Sequence, residues 1–199
     1  MNLALPEIEQ PVRLRFDRPM TDEELLRFCA ENEMARIERD ANGELIVMSP
    51  TGMEGGGVEG DVFGELRNWA LEDRRGKAYG PNAGFTLPDS SVRAADASWV
   101  SWPRVNALTP EQREGFAPIC PEFIIEVRSA SDRLEPLQEK MRMWIANGAE
   151  LAWLVDPLRK TVEVYRLGSK HADVLEGVTA VYGEGPVGGF VLELVRIWA

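Results

Sequence analysis

Pro121-Glu122-Phe123-Ile124-Ile125-Glu126-Val127-Arg128-Ser129 reads as a strand so apolar that both faces are buried, the pattern of a central strand in a parallel or mixed sheet. With a side-chain period of two, Phe123, Ile125 and Val127 point to one face, while Ile124, Glu126 and Arg128 point to the other. A lone buried carboxylate is costly. Glu126 therefore calls for a cation, a hydrogen-bond donor or a metal.

Downstream of this strand, Ser131-Asp132 can cap a helix running to about Asn147, with Gly148 as its stop. Leu137, Lys140, Met141 and Trp144 stand at i, i+3, i+4 and i+7 and share one face. A lysine in that apolar stripe either meets an acid on the adjacent strand or snorkels to water. Glu150-Leu151-Ala152-Trp153-Leu154-Val155 follows as another apolar strand. The strand–helix–strand order over 121–155 makes a crossover unit with two parallel strands. After it come Thr161–Arg166 and a turn-rich antiparallel piece reaching Leu194.

Upstream, Ser91–Ser101 is a strand with Asp96 where it enters the sheet, a second partly buried carboxylate. Thr21-Asp22-Glu23-Glu24 is a helix start with a capping box. Ala35–Arg39 and Glu44–Met48 flank a turn containing Gly43 and form a hairpin. Gly55-Gly56-Gly57 lacks the Lys-Ser/Thr ending of a phosphate loop and reads as a flexible connection before a helix from Val58 to about Asp73. Asp61 and Glu65 border the apolar stripe of that helix, either solvated or leaning over the sheet toward Glu126. Residues 1–20, punctuated by Pro6, Pro11 and Pro19, form an N-terminal arm, and 21–199 a single domain.

The charge balance narrows the function classes. A net charge of −11 and a pI near 4.7 argue against a protein whose whole surface grips nucleic acid. Local basic clusters remain at Arg74-Arg75-Gly76-Lys77 and at Arg128, Arg133, Lys140 and Arg142. The single histidine, His171, lies in a polar stretch, and the two cysteines, Cys29 and Cys120, have no metal-site or disulfide spacing. Serine–histidine chemistry and histidine-rich metal sites lose their footing. The chain has no bilayer-spanning run and no signal-like start, so a cytoplasmic protein is expected.

Asp96, Glu126 and Lys140 can converge at one edge of a mixed sheet. Two carboxylates and a main-chain carbonyl, that of Val127, suit a hard divalent cation such as Mg²⁺ or Mn²⁺. Such an ion polarises a phosphodiester and activates water, and a nearby ammonium steadies developing charge. Arg128, on the face of Glu126, either pairs with a phosphate or forms a salt bridge to Glu126 or Asp132.

Three segments carry a family resemblance: Arg93-Ala94-Ala95-Asp96-Ala97-Ser98-Trp99-Val100, then Pro121–Ser129, then Leu137-Gln138-Glu139-Lys140-Met141 with Asn147–Pro157. Together they resemble the Uma2 family of restriction-endonuclease-like domains, from about Thr21 to Trp198. The resemblance implies the PD-(D/E)XK nuclease fold: an α/β (mixed α+β) domain whose mixed β-sheet is flanked by helices, with additional antiparallel hairpins and a divalent-metal site. It implies a DNA endonuclease with Asp96 and Glu126 as acids, and with Lys140 replacing the lysine that Arg128 displaces. Asp61 falls where relatives carry a helical glutamate, and Gln138 belongs to the same Gln-Glu-Lys stretch. Ala95 replaces the proline of the motif. DNA and a homodimer are the expected partners, because the acidic surface suits a substrate held locally, or a dimer with one shared basic groove, better than a general DNA clamp. The alternatives are a silent interaction module with a buried Asp/Glu/Lys network, and a hydrolase of a small nucleotide.

Overall fold

The computed structural model describes residues 11–199; the first ten residues of the expected arm lie outside them. In chain order the first half carries β1 (Val12–Leu14), α1 (Asp22–Glu31), β2 (Arg36–Arg39), β3 (Leu45–Met48), α2 (Met53–Asp73), β4 (Gly76–Tyr79), β5 (Gly84–Thr86), β6 (Val92–Ala94) and β7 (Ala97–Ser101). Two short helices, α3 (Trp102–Asn106) and α4 (Pro110–Glu114), occupy the long connection. The second half carries β8 (Phe123–Val127), α5 (Leu134–Ala146), β9 (Leu151–Asp156), β10 (Thr161–Arg166), β11 (Asp173–Glu176), β12 (Ala180–Tyr182) and β13 (Val191–Glu193).

The apolar strand β8 is central, as its composition requires. The main sheet has the order β11-β10-β9-β8-β7-β4, and β8–β9 is its one parallel pair, joined by the crossover helix α5. Phe123, Ile125 and Val127 pack with Val62, Leu66 and Ala70 of α2 and with Trp153 and Phe190. On the other face Ile124 packs with Met141 and Trp144 of α5. Glu126 falls on this second face, buried beneath α5. Rings reinforce the first face: Phe123 and Trp153 meet edge to face at 4.8 Å, and Trp153 stacks on Phe190 at 5.7 Å.

A second, five-stranded antiparallel sheet has the order β1-β3-β2-β6-β5. Val12–Leu14 of the expected arm is thus an edge strand paired with β3. The β2–β3 hairpin turns at Gly43, whose φ of +85° suits a residue without a side chain. Arg39 pairs with Val92, so β2 runs beside the chain just before Asp96. Asp96 itself stands where the backbone leaves β6 in one sheet and enters β7 in the other. The hairpin is therefore laid beside the start of β7 in the main sheet, at that carboxylate.

Two local expectations are corrected. Gly55-Gly56-Gly57 is helical, because α2 begins at Met53 with Gly52 as its N-cap. The backbone bond from Gly56 N–H to Gly52 O is already 2.8 Å, and packing of Val62, Leu66 and Ala70 overrides the poor helix propensity of glycine. Asp132 does not cap α5; its carboxylate accepts from Ser129 N–H and Oγ–H and closes the turn after β8. The Thr21–Glu24 capping box of α1 forms as read. No helix among the described residues is long and apolar enough to cross a membrane.

Candidate metal centre and nuclease family

Asp96 and Glu126 are brought together by strand register. Ala97 pairs with Ile125 across the antiparallel β7–β8 ladder, so the residue before Ala97 and the residue after Ile125 come opposite one another on one face. Both carboxylates are buried, at 4% and 3% exposure. Asp96 Oδ2 accepts the Val127 N–H at 2.8 Å, and Oδ1 accepts from Arg36 at 3.1 Å. Glu126 Oε1 accepts the indole N–H of Trp144 at 2.9 Å and lies 2.9 Å from Lys140 Nζ.

Lys140 therefore reaches inward from α5. Its ammonium also donates to Glu38 Oε1 and to the Ala94 carbonyl, each at 3.0 Å. Glu38 is buried on β2 and is further held by Arg93 at 2.8 Å and by the Ala94 N–H at 3.2 Å. Burial alone would push the Glu38 carboxyl up, but Lys140 and Arg93 together bring it down to about 2. Glu126 goes the other way: burial pushes its carboxyl up to about 7, with Asp96 and Glu38 adding to the rise and Lys140 opposing it. Burial disfavours the Lys140 ammonium, yet the acids around it raise its pKa.

A further acid faces this group from α2, and it is Glu59. Its Oε1 accepts from Thr51 at 2.9 Å and lies 3.9 Å from Arg36. Burial raises its pKa, and Asp96 adds to the rise. Asp61, by contrast, is exposed and is not brought to these acids by any hydrogen bond or ion pair among the described residues. The helix geometry explains why. Glu59 stands three residues before Val62 and seven before Leu66, on the sheet-facing stripe, while Asp61 is turned about 100° away from Val62.

Two more expected residues lie elsewhere. Arg128 donates to Asp156 Oδ2 at 2.9 Å and to the Asp132 carbonyl at 3.2 Å, tying the turn after β8 to the end of β9. Its partner is neither Glu126 nor the Asp132 carboxylate, so its charge is spent structurally. Gln138 donates to both oxygens of Glu163 on β10, at 2.8 and 3.0 Å, and belongs to a clamp under α5. Arg36, Glu38, Glu59 and Trp144 were not anticipated. Their signal was thin: Arg36 and Glu38 are one strand period apart on a short hairpin, an arrangement equally suited to a solvated face.

Among the described residues no group of three or more His, Cys, Asp or Glu stands ready to hold a metal ion. The donor chemistry nevertheless fits Mg²⁺ or Mn²⁺, which bind through one or two carboxylates and keep waters and substrate oxygens as their other ligands. Asp96 and Glu126 supply hard oxygens on neighbouring strands. Val127 presents its N–H to Asp96, and a strand residue points its N–H and C=O to the same side. Glu126 Oε2 and Glu59 Oε2 accept no hydrogen bond among the described residues.

A mixed sheet between two helices, with an acid pair on adjacent strands and a lysine entering from the crossover helix, is a restriction-endonuclease-like arrangement. The Uma2 family, described as "Putative restriction endonuclease", matches residues 22–194, and the chain belongs to that family. The fold is also that of a "putative nuclease belonging to DUF820" from Anabaena variabilis ATCC 29413. The TM-score is 0.71, covering 90% of this chain and 98% of that one at 19% identity. No curated protein sequence matches.

Proposed function

We propose that the protein is a divalent-metal-dependent endonuclease that hydrolyses DNA phosphodiester bonds. The observation that carries this reading is the Asp96–Glu126 pair on neighbouring strands with the Lys140 ammonium 2.9 Å from Glu126. Asp96, Glu126 and the Val127 carbonyl would hold Mg²⁺ or Mn²⁺, which supplies polarisation of the phosphate and a water of lowered pKa. Lys140 is a fixed positive charge where negative charge develops on the phosphate oxygens. Glu38 and the Ala94 carbonyl hold its other N–H groups, so the charge is fixed in position before substrate arrives and acts through its field. Glu59 faces the same acids from α2 and is the acid at this site that Asp61 is not. Cutting both strands of a two-fold duplex calls for two such sites, so we read the working form as a homodimer.

The test is incubation of plasmid, single-stranded and branched DNA with Mn²⁺, comparing wild type with Asp96→Ala, Glu126→Ala and Lys140→Ala. Cleavage lost in all three supports the assignment; cleavage that persists in them comes from a contaminant and removes it.

A second reading has an observation of its own. Lys140 is saturated by Glu126, Glu38 and the Ala94 carbonyl, and both oxygens of Asp96 are engaged, as in a closed ion network that serves packing alone. Metal-dependent stability separates the two. At a hundred times its Kd a bound ion adds about 2.7 kcal/mol, which for a chain of this size raises Tm by roughly 5–10 °C. Asp96→Ala and Glu126→Ala should abolish that rise. A wild-type melting curve unmoved by 10 mM Mn²⁺ would favour the silent network.

A further inference from the structure

The three cations around the acids are not held alike. Lys140 Nζ has three acceptors within 2.9–3.0 Å. Arg93 is bound at 2.8 Å to Glu38, away from Asp96. Among the described residues Arg36 and Arg93 each make one side-chain hydrogen bond, but that of Arg36, to Asp96 Oδ1, is the longer at 3.1 Å, and Arg36 stands 3.9 Å from Glu59. Its side chain is also the most accessible, at 25% against 16% for Lys140 and 13% for Arg93. Arg36 thus lies between two of the acids that face the candidate metal position, loosely held and with solvent to move into.

A divalent ion bound through Asp96 would bring two positive charges to the oxygen that Arg36 now contacts. Like charges that close repel strongly in a partly buried site. Lysine in such a place can lose its proton, but a guanidinium remains charged. The remaining way to relieve the repulsion is movement of the side chain.

We propose that Arg36 is a tethered counter-ion: it holds Asp96 and Glu59 together, yields Asp96 Oδ1 to an arriving divalent cation, and by that competition sets the metal affinity of the site. This rests on the metal-centre reading above. Lys140 stays in place through the exchange because its other two acceptors, Glu38 and the Ala94 carbonyl, are independent of the ion. The hairpin that carries Arg36 is therefore a functional part of the site.

The experiment is a Mn²⁺ titration followed by the electron paramagnetic resonance signal of the free ion, using wild type, Arg36→Gln and Arg93→Gln. Removing the competitor should tighten Mn²⁺ binding roughly tenfold or more in Arg36→Gln, because the acids no longer have to be vacated. Arg93→Gln removes an equal charge from the same network and should stay within about threefold of wild type, since it contacts Glu38 rather than Asp96. Binding of equal strength in wild type and Arg36→Gln overturns the competition and leaves the metal centre standing. Equal tightening in Arg93→Gln also overturns it, by reducing the effect to the general field. No binding in any of the proteins overturns both readings. Should Arg36→Gln fail to fold, Arg36→Lys keeps the charge and loses the two-pronged fork. It is then expected to bind Mn²⁺ a few-fold more tightly than wild type, and unchanged affinity overturns the proposal.

Discussion

Lys140 shows how a residue can be placed by its neighbours rather than by its own chemistry. Its stem passes through an apolar face of α5, and its ammonium ends among two carboxylates and a carbonyl. Truncation to alanine leaves Glu126 and Glu38 buried without that cation. We expect Lys140→Ala to lose about 3–5 kcal/mol of stability, measured by urea unfolding; a loss below about 1 kcal/mol would mean that the acids have other partners. Glu38 makes a sharper prediction because its carboxyl is brought down to about 2 from an ordinary 4.5. A depressed carboxyl pKa contributes stability that is present above the unfolded value and lost as pH falls through the folded one. The Glu38→Gln variant should therefore be less stable than wild type at pH 5–6 by on the order of 3 kcal/mol. That gap should narrow progressively from about pH 4.5 toward pH 2. A gap independent of pH over that window would show that the glutamine is penalised for its shape and not for its missing charge.

At the scale of elements, the charged residues that could be read in the sequence were those that broke a pattern. Glu126 interrupts an apolar strand and Lys140 an apolar helix face, so each announced a partner. Arg36 and Glu38 sit in Arg36-Ile37-Glu38-Arg39, where alternating charges on a hairpin also describe an exposed strand; only the crossing of β2 past β6 made them part of the site. Motif position points to Asp61, whereas the 3.6-residue period puts Glu59 on the sheet-facing stripe. The helical state of Gly55–Gly57 was hidden for a different reason. Propensity spoke against it, and the packing that overrules propensity is nonlocal. Open helical glycines also make a direct prediction. A Cβ added at Gly60 or Gly64 would meet nothing within 4 Å, so Gly60→Ala and Gly64→Ala should each raise stability by about 0.5–1 kcal/mol. At Gly55 a Cβ would come 2.4 Å from Thr51 Cγ2, and alanine there must displace the threonine that holds Glu59. Stabilisation at Gly55 equal to that at Gly60 would remove the argument. On α5, Gln138→Ala breaks the bonds to Glu163 and should cost about 1–3 kcal/mol, while leaving Mn²⁺ affinity unchanged; weakened metal binding would put Gln138 back at the site.

The whole molecule presents a conflict between its charge and the proposed substrate. A net charge of −11 repels a polyanion at long range, so the endonuclease reading requires a local field of opposite sign to hold DNA. The parallel β8–β9 pair gives the candidate surface for such a field. Because Val127 lies beside Val155, the turn after β8 and the turn after β9 emerge at the same end of the sheet as Glu126, and Arg128 ties them together through Asp156 and Asp132. Those turns, with the adjoining start of α5, carry Arg133, Arg159 and Lys160, all exposed. If they form the lip that receives the phosphodiester backbone, neutralising them acts through counterion release. In a Glu126→Gln background, each of Arg133→Gln, Arg159→Gln and Lys160→Gln should weaken binding to a short duplex. Each should also reduce the slope of log K against log salt by about 0.9, as measured by fluorescence anisotropy over a range of KCl concentrations. The control is Arg67→Gln, an exposed charge of equal size on α2, which lies beyond Glu59 and away from both turns. A slope changed as much by Arg67→Gln as by the lip substitutions would mean that the duplex feels only net charge, and the proposed endonuclease function would then need another surface to bring DNA to Glu126.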